Sequence, residues 1–324
     1  MKIAQHKFGL HFESADIIPP RNVTVDAALD AQPPNNKMIR TVGIISRPRR
    51  EDIARVVPPL IDWLRAHGAE VVCDSETGDC IGPVTAQMRK REELPAHSDL
   101  LIVLGGDGTL LSAARLAADR EVPILAVNLG GMGFLTTVPQ DEIYEILEEI
   151  FSCKHRVSER VLLEARIVRD GTVIRRQIAL NDAVLNKAAL ARIMDVTLRV
   201  DSEYVTTYKA DGLILSTPTG STAYSLAAGG PIVYPTVESF VVTPICPHTL
   251  TNRPLVIPDT AKIEIDFQSE DDAVFLTLDG QIGIELARGD HIVVRKAPEK
   301  LRLVRPARKT YFQILRNKLK WGER

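Results

Sequence analysis

The chain has 324 residues, 45% of them hydrophobic and 25% charged, the balance of a soluble globular protein with room for two domains. Its 40 lysines and arginines against 42 acids leave a net charge of −2, which argues against a nucleic-acid partner and against electrostatic docking on a membrane. No apolar run approaches the roughly 18 residues of a transmembrane helix, and the N-terminus lacks the apolar core of a secretory signal, so a cytoplasmic protein is expected.

Residues 1–38 carry Pro19-Pro20, Pro33-Pro34 and Asn35-Asn36 with little periodicity, and they are expected to form a loosely ordered extension. Met38 opens the first strand-like run and is a candidate start of translation. Residues 39–138 read as α/β. The β-branched run Thr41 to Ser46 predicts a strand, and Ile53, Val57, Leu60 and Leu64 predict a helix over 51–67 ending at Gly68. Pro58-Pro59 predicts a kink or a fresh helix start inside it. Glu70 to Cys73 is a second predicted strand. Leu100 to Leu104 is an apolar run of the kind covered on both faces. It feeds Gly105-Gly106-Asp107-Gly108-Thr109 and a helix, and Val122 to Val127 is a further strand. Strands alternating with helices imply a parallel, Rossmann-like sheet.

After a helix around 140–151 the period changes to two, and residues 139–300 read as a mostly antiparallel β-sandwich. Four hairpins are predicted: Arg166 to Leu180 around Asp170-Gly171, Val196–Val200 with Tyr204–Tyr208, Lys262–Phe267 with Val274–Leu278, and Gly283–Leu286 with His291–Arg295. Residues 301–324 are expected to run as strand and helix back to the first domain, or to pack on a neighbouring subunit. Cys73, Cys80, Cys153 and Cys246 form no C-x-x-C pair and are expected to be reduced, buried thiols.

Three segments suit chemistry. In Gly105-Gly106-Asp107-Gly108-Thr109 a strand ends, glycines let a polyphosphate approach the main chain, and a helix N-terminus follows. An aspartate there suits Mg²⁺ or a proton from an attacking hydroxyl, although a turn with Asp107 as helix cap is the plainer alternative. Asn128-Leu129-Gly130-Gly131-Met132-Gly133-Phe134-Leu135 again follows a strand, and it reads as a second wall of the same crevice or as a hinge. Seven of the ten residues from Ser216 to Ser225 bear hydroxyls, a density that points to a polar ligand, with Tyr224 available to stack on a base. Asn181-Asp182 suits ribose hydroxyls or an Asx turn. His248 reads as a local hydrogen-bonding residue, and Leu278-Asp279-Gly280-Gln281 reads first as a turn.

Together these segments resemble the NAD kinase family, in its motif order, over roughly residues 40 to 300; the stretch TPTGSTAYSLAAGGP is the specific one. The resemblance implies an enzyme that phosphorylates the adenosine ribose 2′-hydroxyl of NAD to form NADP, with NAD bound between an α/β domain and a β-sandwich. It implies Asp107 as catalytic acid–base residue with Gly108 beside it, Asn181 and Asp182 on the dinucleotide, and Thr222, Ala223, Tyr224, Ser225, Leu226 and Ala227 around an adenosine. Family binding positions fall also on Arg192, Lys209, Asp211, Cys246 and Gln281. Mg²⁺ or another divalent ion, ATP or another phosphoryl donor, and a homodimer or homotetramer are implied as well, and Asp107 is a possible Mg²⁺ contact. Ser112 departs from the pattern, standing where several members carry a basic residue. The glycine–aspartate loop is shared with lipid and sphingoid kinases, which remain one alternative; a non-catalytic NAD(P)-binding sensor is another.

Overall fold

The computed structural model describes residues 38–47, 51–82, 86–131, 133–187, 193–268, 273–305 and 310–321. The expected N-terminal extension and Arg192 therefore lie outside the described residues.

The first half alternates strands and helices: β1 (Thr41–Ser46), α1 (Ile53–Ala66), β2 (Glu70–Asp74), α2 (Ser75–Ile81), β3 (Gln87–Arg89), β4 (Leu100–Leu104), α3 (Asp107–Ala117), β5 (Ile124–Asn128), β6 (Val138–Pro139) and α4 (Ile143–Phe151). Strands β5, β4, β1, β2 and β3 lie side by side in parallel. All five residues of β4 are buried, because its alternating side chains enter two different cores. Leu100, Ile102 and Leu104 meet Ile53, Val57, Leu60 and Leu64 of α1 on one face. Leu101 and Val103 meet Leu110, Ala114 and Ala117 of α3 on the other. Of the kink or fresh start expected at the prolines, the fresh start does not occur: the helix runs through Pro58 and Pro59 as one element. Its apolar face is held on the sheet, which offsets the two backbone donors the prolines lack. Gly68 takes up a left-handed φ of +83° just past the helix end, as the sequence predicts. Helix α2 has no counterpart in the sequence reading, although Asp74 caps it by accepting the Thr77 N–H.

The second half contains β7 (Arg156–Arg169), β8 (Thr172–Ala179), β9 (Asp182–Lys187), β10 (Met194–Val200), β11 (Glu203–Ala210), β12 (Gly212–Ser216), the short α5 (Tyr224–Ala227), β13 (Ser239–Ile245), β14 (Leu255–Pro258), β15 (Ile263–Gln268), β16 (Val274–Leu278), β17 (Ile282–Leu286), β18 (His291–Arg305) and α6 (Tyr311–Leu319). Six strands in the order β14-β13-β12-β9-β16-β17 form one antiparallel sheet. It packs against β7, β10, β15 and β18, and both layers contribute to a single core that includes Leu213, Phe240, Leu276, Val196, Ile265 and Ile292. Strand β18 pairs with β7 along most of its length, and near its end Leu303 lies parallel to Ile124 of β5. The parallel sheet and one layer of the sandwich are thus one continuous sheet.

The hairpins predicted at Asp170-Gly171 and between β10 and β11 form. The other two do not. Strand β15 pairs with β10 and β18, whereas β16 pairs with β9 and β17 in the opposite sheet. Ile263 and Ile265 of β15 and Val274 and Leu276 of β16 all point into the same core, so alternation reports the buried face and is silent about the partner strand. Of the cysteines, only Cys73 is fully buried, and burial pushes its thiol up to about 12; Cys246 is exposed.

Among the described residues Phe240 is the bulkiest fully buried side chain, and it sits between the two layers. Phe240→Ala is expected to lower stability by about 3–5 kcal/mol, read from denaturant unfolding. A loss well under that would mean the layers are not packed on this ring.

Candidate active site

Asp107 does not cap α3. Gly106 occupies the cap position, and Asp107 is the first helical residue with its side chain turned across the cleft to the second glycine segment. There Oδ2 accepts the Phe134 N–H at 2.9 Å. Oδ1 accepts the N–H groups of Leu135 and Thr136 at 3.2 and 2.9 Å and the Thr136 hydroxyl at 2.9 Å. Asn128 holds the same segment from beneath, donating to Gly131 C=O at 2.9 Å and to Thr136 Oγ1 at 3.0 Å while accepting the Gly130 N–H at 2.6 Å. Gly133 is required by contact: a Cβ there would stand 2.0 Å from Asp107 Oδ1. The two glycine motifs, separate in sequence, form one clamp.

Beside the clamp, at the carboxyl ends of β1 and β4, is a cavity of about 450 Å³ lined by Arg47, Arg91, Gly106, Gly108, Thr109 and Ser112. Sequence reasoning missed both arginines. Their signal was position, since Arg47 directly follows β1 and Arg91 comes just past β3, at the carboxyl ends of strands where open α/β folds take ligands. Arg91 also pairs with Asp74 and with Glu76, at 2.8 Å for the latter, and donates to Ser46 C=O at 3.0 Å.

On the opposite wall the chain turns between β8 and β9. Here Asp279 accepts three successive N–H groups, from Leu180 at 3.1 Å, Asn181 at 2.7 Å and Asp182 at 3.3 Å. Arg115 of α3 donates to the same carboxylate at 3.1 Å and also to Gln281 Oε1. Gln281 in turn donates to Gly108 C=O at 2.7 Å, so its amide is engaged within the protein at both ends. Burial, with the charge of Asp279 behind it, pushes the Asp182 carboxyl up to about 7. Asn181 Oδ1 is buried with no hydrogen-bond partner among the described residues.

The hydroxyl-rich stretch needs a different explanation from the one its composition suggests. Thr217 Oγ1 donates to Leu180 C=O at 2.5 Å, and Ser216 Oγ to Thr217 C=O at 2.9 Å. Ser221 Oγ donates to Pro218 C=O and accepts from Val233 N–H, while Ser225 and Thr243 hydroxyls meet at 2.9 Å. Most of these hydroxyls build the turn itself. Gly220 lets that turn approach the corner, for a Cβ there would stand 2.1 Å from Asn181 C=O. Of the residues assigned to an adenosine, Tyr224 and Ala227 are exposed, Thr222, Ala223 and Leu226 are half-buried, and Ser225 is buried.

Asp107, Gly108, Asn181, Asp182 and Gln281 are thus tied into one group through Arg115 and Asp279. Lys209, Asp211 and Cys246 do not join it within this chain. Asp211 N–H donates to Ile245 C=O beyond the Gly212 end of β12, whereas Asp182 pairs with Ser216 at its other end. Five residues of strand, roughly 15 Å, separate the two groups. Lys209 C=O accepts the His248 N–H at 2.9 Å. Among the described residues no group of three or more His, Cys, Asp or Glu side chains could hold a metal ion. Asp107, the possible Mg²⁺ contact, already accepts four protein donors.

Comparison with known proteins follows the same lines. The ATP-NAD kinase N-terminal domain model matches residues 42–155 and the C-terminal domain model residues 180–306. An NAD kinase of Solibacter usitatus is 48% identical over 287 residues, 89% of this chain and 99% of that protein. One of Geobacter metallireducens is 56% identical over 233 residues, 72% of this chain and 82% of that protein. The crystal structure of yeast NADH kinase complexed with NADH superposes with a TM-score of 0.83 at 28% identity, covering 91% of this chain and 94% of that one. An NAD kinase from Archaeoglobus fulgidus in complex with ATP shares the fold, with a TM-score of 0.69 at 24% identity over 86% of this chain and 98% of that one. Relatives this similar set aside the lipid-kinase and sensor alternatives.

Because the Asp182 carboxyl sits near 7 in the folded protein and near its ordinary value of about 3.9 when unfolded, the native state holds the extra proton between those values. Its contribution to stability is therefore full below about pH 4 and is lost as pH rises through about 7. Asp182→Asn removes that loss, so the variant's melting temperature should gain on wild type between pH 5 and pH 8. Parallel curves for the two proteins would show that Asp182 titrates normally.

Proposed function

The chain belongs to the NAD kinase family and is a phosphotransferase, and from that premise we propose how its own residues move a phosphoryl group from a triphosphate to the adenosine ribose 2′-hydroxyl of NAD. The reading is carried by the Asp107 carboxylate, pinned on the 134–136 segment between two residues, Gly106 and Gly108, that line the arginine-bearing cavity. Three of its four donors bond Oδ1, whereas Oδ2 accepts from Phe134 N–H alone among the described residues. A carboxylate oxygen has two lone pairs, so Oδ2 is the atom with capacity to take the hydroxyl proton. Arg47, Arg91 and the glycine turn at the start of α3 cradle the donor phosphates. A divalent cation on those phosphates would neutralise charge as it develops.

Asn181 and Asp182 grip the ribose side of the dinucleotide, the unpartnered Asn181 Oδ1 accepting from a sugar hydroxyl. Thr222 to Ala227 frame an adenosine with the exposed Tyr224 ring against the base. Lys209, Asp211 and Cys246, a strand's length away, serve the far end of an extended ligand or the site of a second copy, in keeping with a homodimer or homotetramer. Arg192 belongs to the same reading by family position. A cytoplasmic setting, where NAD and ATP are available, completes it. No described helix is long and apolar enough to cross a membrane. Transfer of this kind rests on placement and electrostatics, which suits a site built from clamped loops.

Incubation with NAD, ATP and Mg²⁺, with NADP read by an NADP-specific dehydrogenase, tests the proposal. Asp107→Asn is expected to lose about 10²–10⁴-fold in turnover while still binding NAD. Near-normal turnover would remove Asp107 from the base role. Gly133→Ala, which drives a methyl group into the carboxylate, should lower turnover in the same direction without touching the cavity arginines. Full activity in that variant would show that the clamp is dispensable.

A further inference from the structure

This inference rests on the kinase reading above and concerns a residue that neither the motifs nor the family positions assign. Asp279 and Gly280 are both left-handed, at φ +50° and +63°, and Gln281 N–H donates to Leu278 C=O at 2.9 Å. This is a tight type I′ turn joining β16 to β17, and its tip is held against α3. Arg115 makes the join, reaching from α3 two helical turns after Asp107. Its guanidinium bonds Asp279 and Gln281 together. Gln281 returns the connection to Gly108, beside the proposed base. On its other side Asp279 collects the three N–H groups of the Leu180–Asp182 corner. One planar fork therefore stands between the loop that handles the donor and the corner that grips the acceptor.

We propose that Arg115 is a positioning residue that sets the spacing between the Asp107–Gly108 loop and the Asn181–Asp182 corner, and so aligns the ribose hydroxyl with the transferred phosphoryl group. The Asp279 side chain is fully buried and that of Arg115 is 15% exposed, so the pair is sheltered from solvent. Helix α3 does not depend on it, being held to the first sheet by Leu110, Leu111, Ala113, Ala114 and Ala117. Lysine can replace the charge of Arg115, but not its two-pronged geometry. Burial raises the proton affinity of Asp279, and the three N–H groups together with the Arg115 charge oppose it. Protonated Asp279 would hold the corner less firmly.

The test compares wild type, Arg115→Met, Arg115→Lys and Gln281→Leu in full-length protein, with melting temperature, steady-state NADP formation and the pH dependence of kcat/KM. Misplacement by about 1 Å lowers turnover by roughly 10²-fold, and that is the loss expected of Arg115→Met at temperatures where it remains folded. Its acidic limb should move to higher pH, since Asp279 has lost its cation. Arg115→Lys should restore the limb and only part of the turnover. Gln281→Leu should lower turnover and leave the limb in place. A folded Arg115→Met with turnover within about twofold of wild type and an unmoved limb overturns the proposal. If that variant does not fold, an Arg115→Lys protein indistinguishable from wild type overturns it equally. Wild type that forms no NADP instead overturns the kinase reading on which the proposal rests.

Discussion

Backbone N–H groups exposed where a chain turns sharply away from water must find acceptors, and in this protein two carboxylates supply them. Asp107 accepts from three consecutive residues of the 134–136 segment, and Asp279 accepts from three consecutive residues of the 180–182 corner. Each carboxylate belongs to a different part of the chain from the segment it holds, so each is a tertiary bond that shapes a loop. Without them, neither wall of the cleft would have a defined form. Charge-assisted bonds of this sort are shorter and stronger than neutral ones, and both lie partly or wholly out of solvent.

The same economy of donors explains the polar richness of the site. Hydroxyls of Ser216, Thr217, Ser221 and Ser225 satisfy main-chain and side-chain partners within their own turn. Among the described residues, Oδ2 of Asp107 accepts a single protein donor, Oδ1 of Asn181 has no partner, and Arg47 and Arg91 line the cavity. The clustering of buried acids has an electrostatic consequence. Asp182 titrates near 7 because it is buried beside Asp279, whose own partner is Arg115.

Strand β18 explains why these pieces meet. It runs the length of the sandwich against β7 and then continues alongside β5, so the parallel sheet and the antiparallel layer share one backbone ladder. The cleft sits at this seam, with α3 on one side and the β16–β17 turn on the other. Helix α6 closes the seam from the C-terminus. Its Tyr311 packs edge-on to Tyr234 at 5.0 Å between ring centroids, and Lys318 lies 5.8 Å from the centre of the Phe134 ring. Phe134 is itself one of the residues held by Asp107. The last helix thus approaches the glycine segment that the proposed base holds.

Much of this was present in the sequence. The apolar run Leu100 to Leu104 announced a strand buried on both faces, Asp170-Gly171 a hairpin, Gly68 a helix end, and the ordered motifs a family and its reaction. Such features are local: they follow from side-chain period, glycine φ and residue type over a few neighbours. What the sequence could not determine was partnership. Alternation in β15 and β16 showed which side faces the core, yet both sheets face the same core, so their pairing was decided only by packing. Hydroxyls between Ser216 and Ser225 looked free for a ligand because nothing in a linear chain shows that Leu180 and Val233 lie beside them. Arg115 and Asp279 are 164 residues apart in the chain, and only the fold brings them into contact. Residue type sets what a group can bond to, and long-range chain closure sets what is there to be bonded.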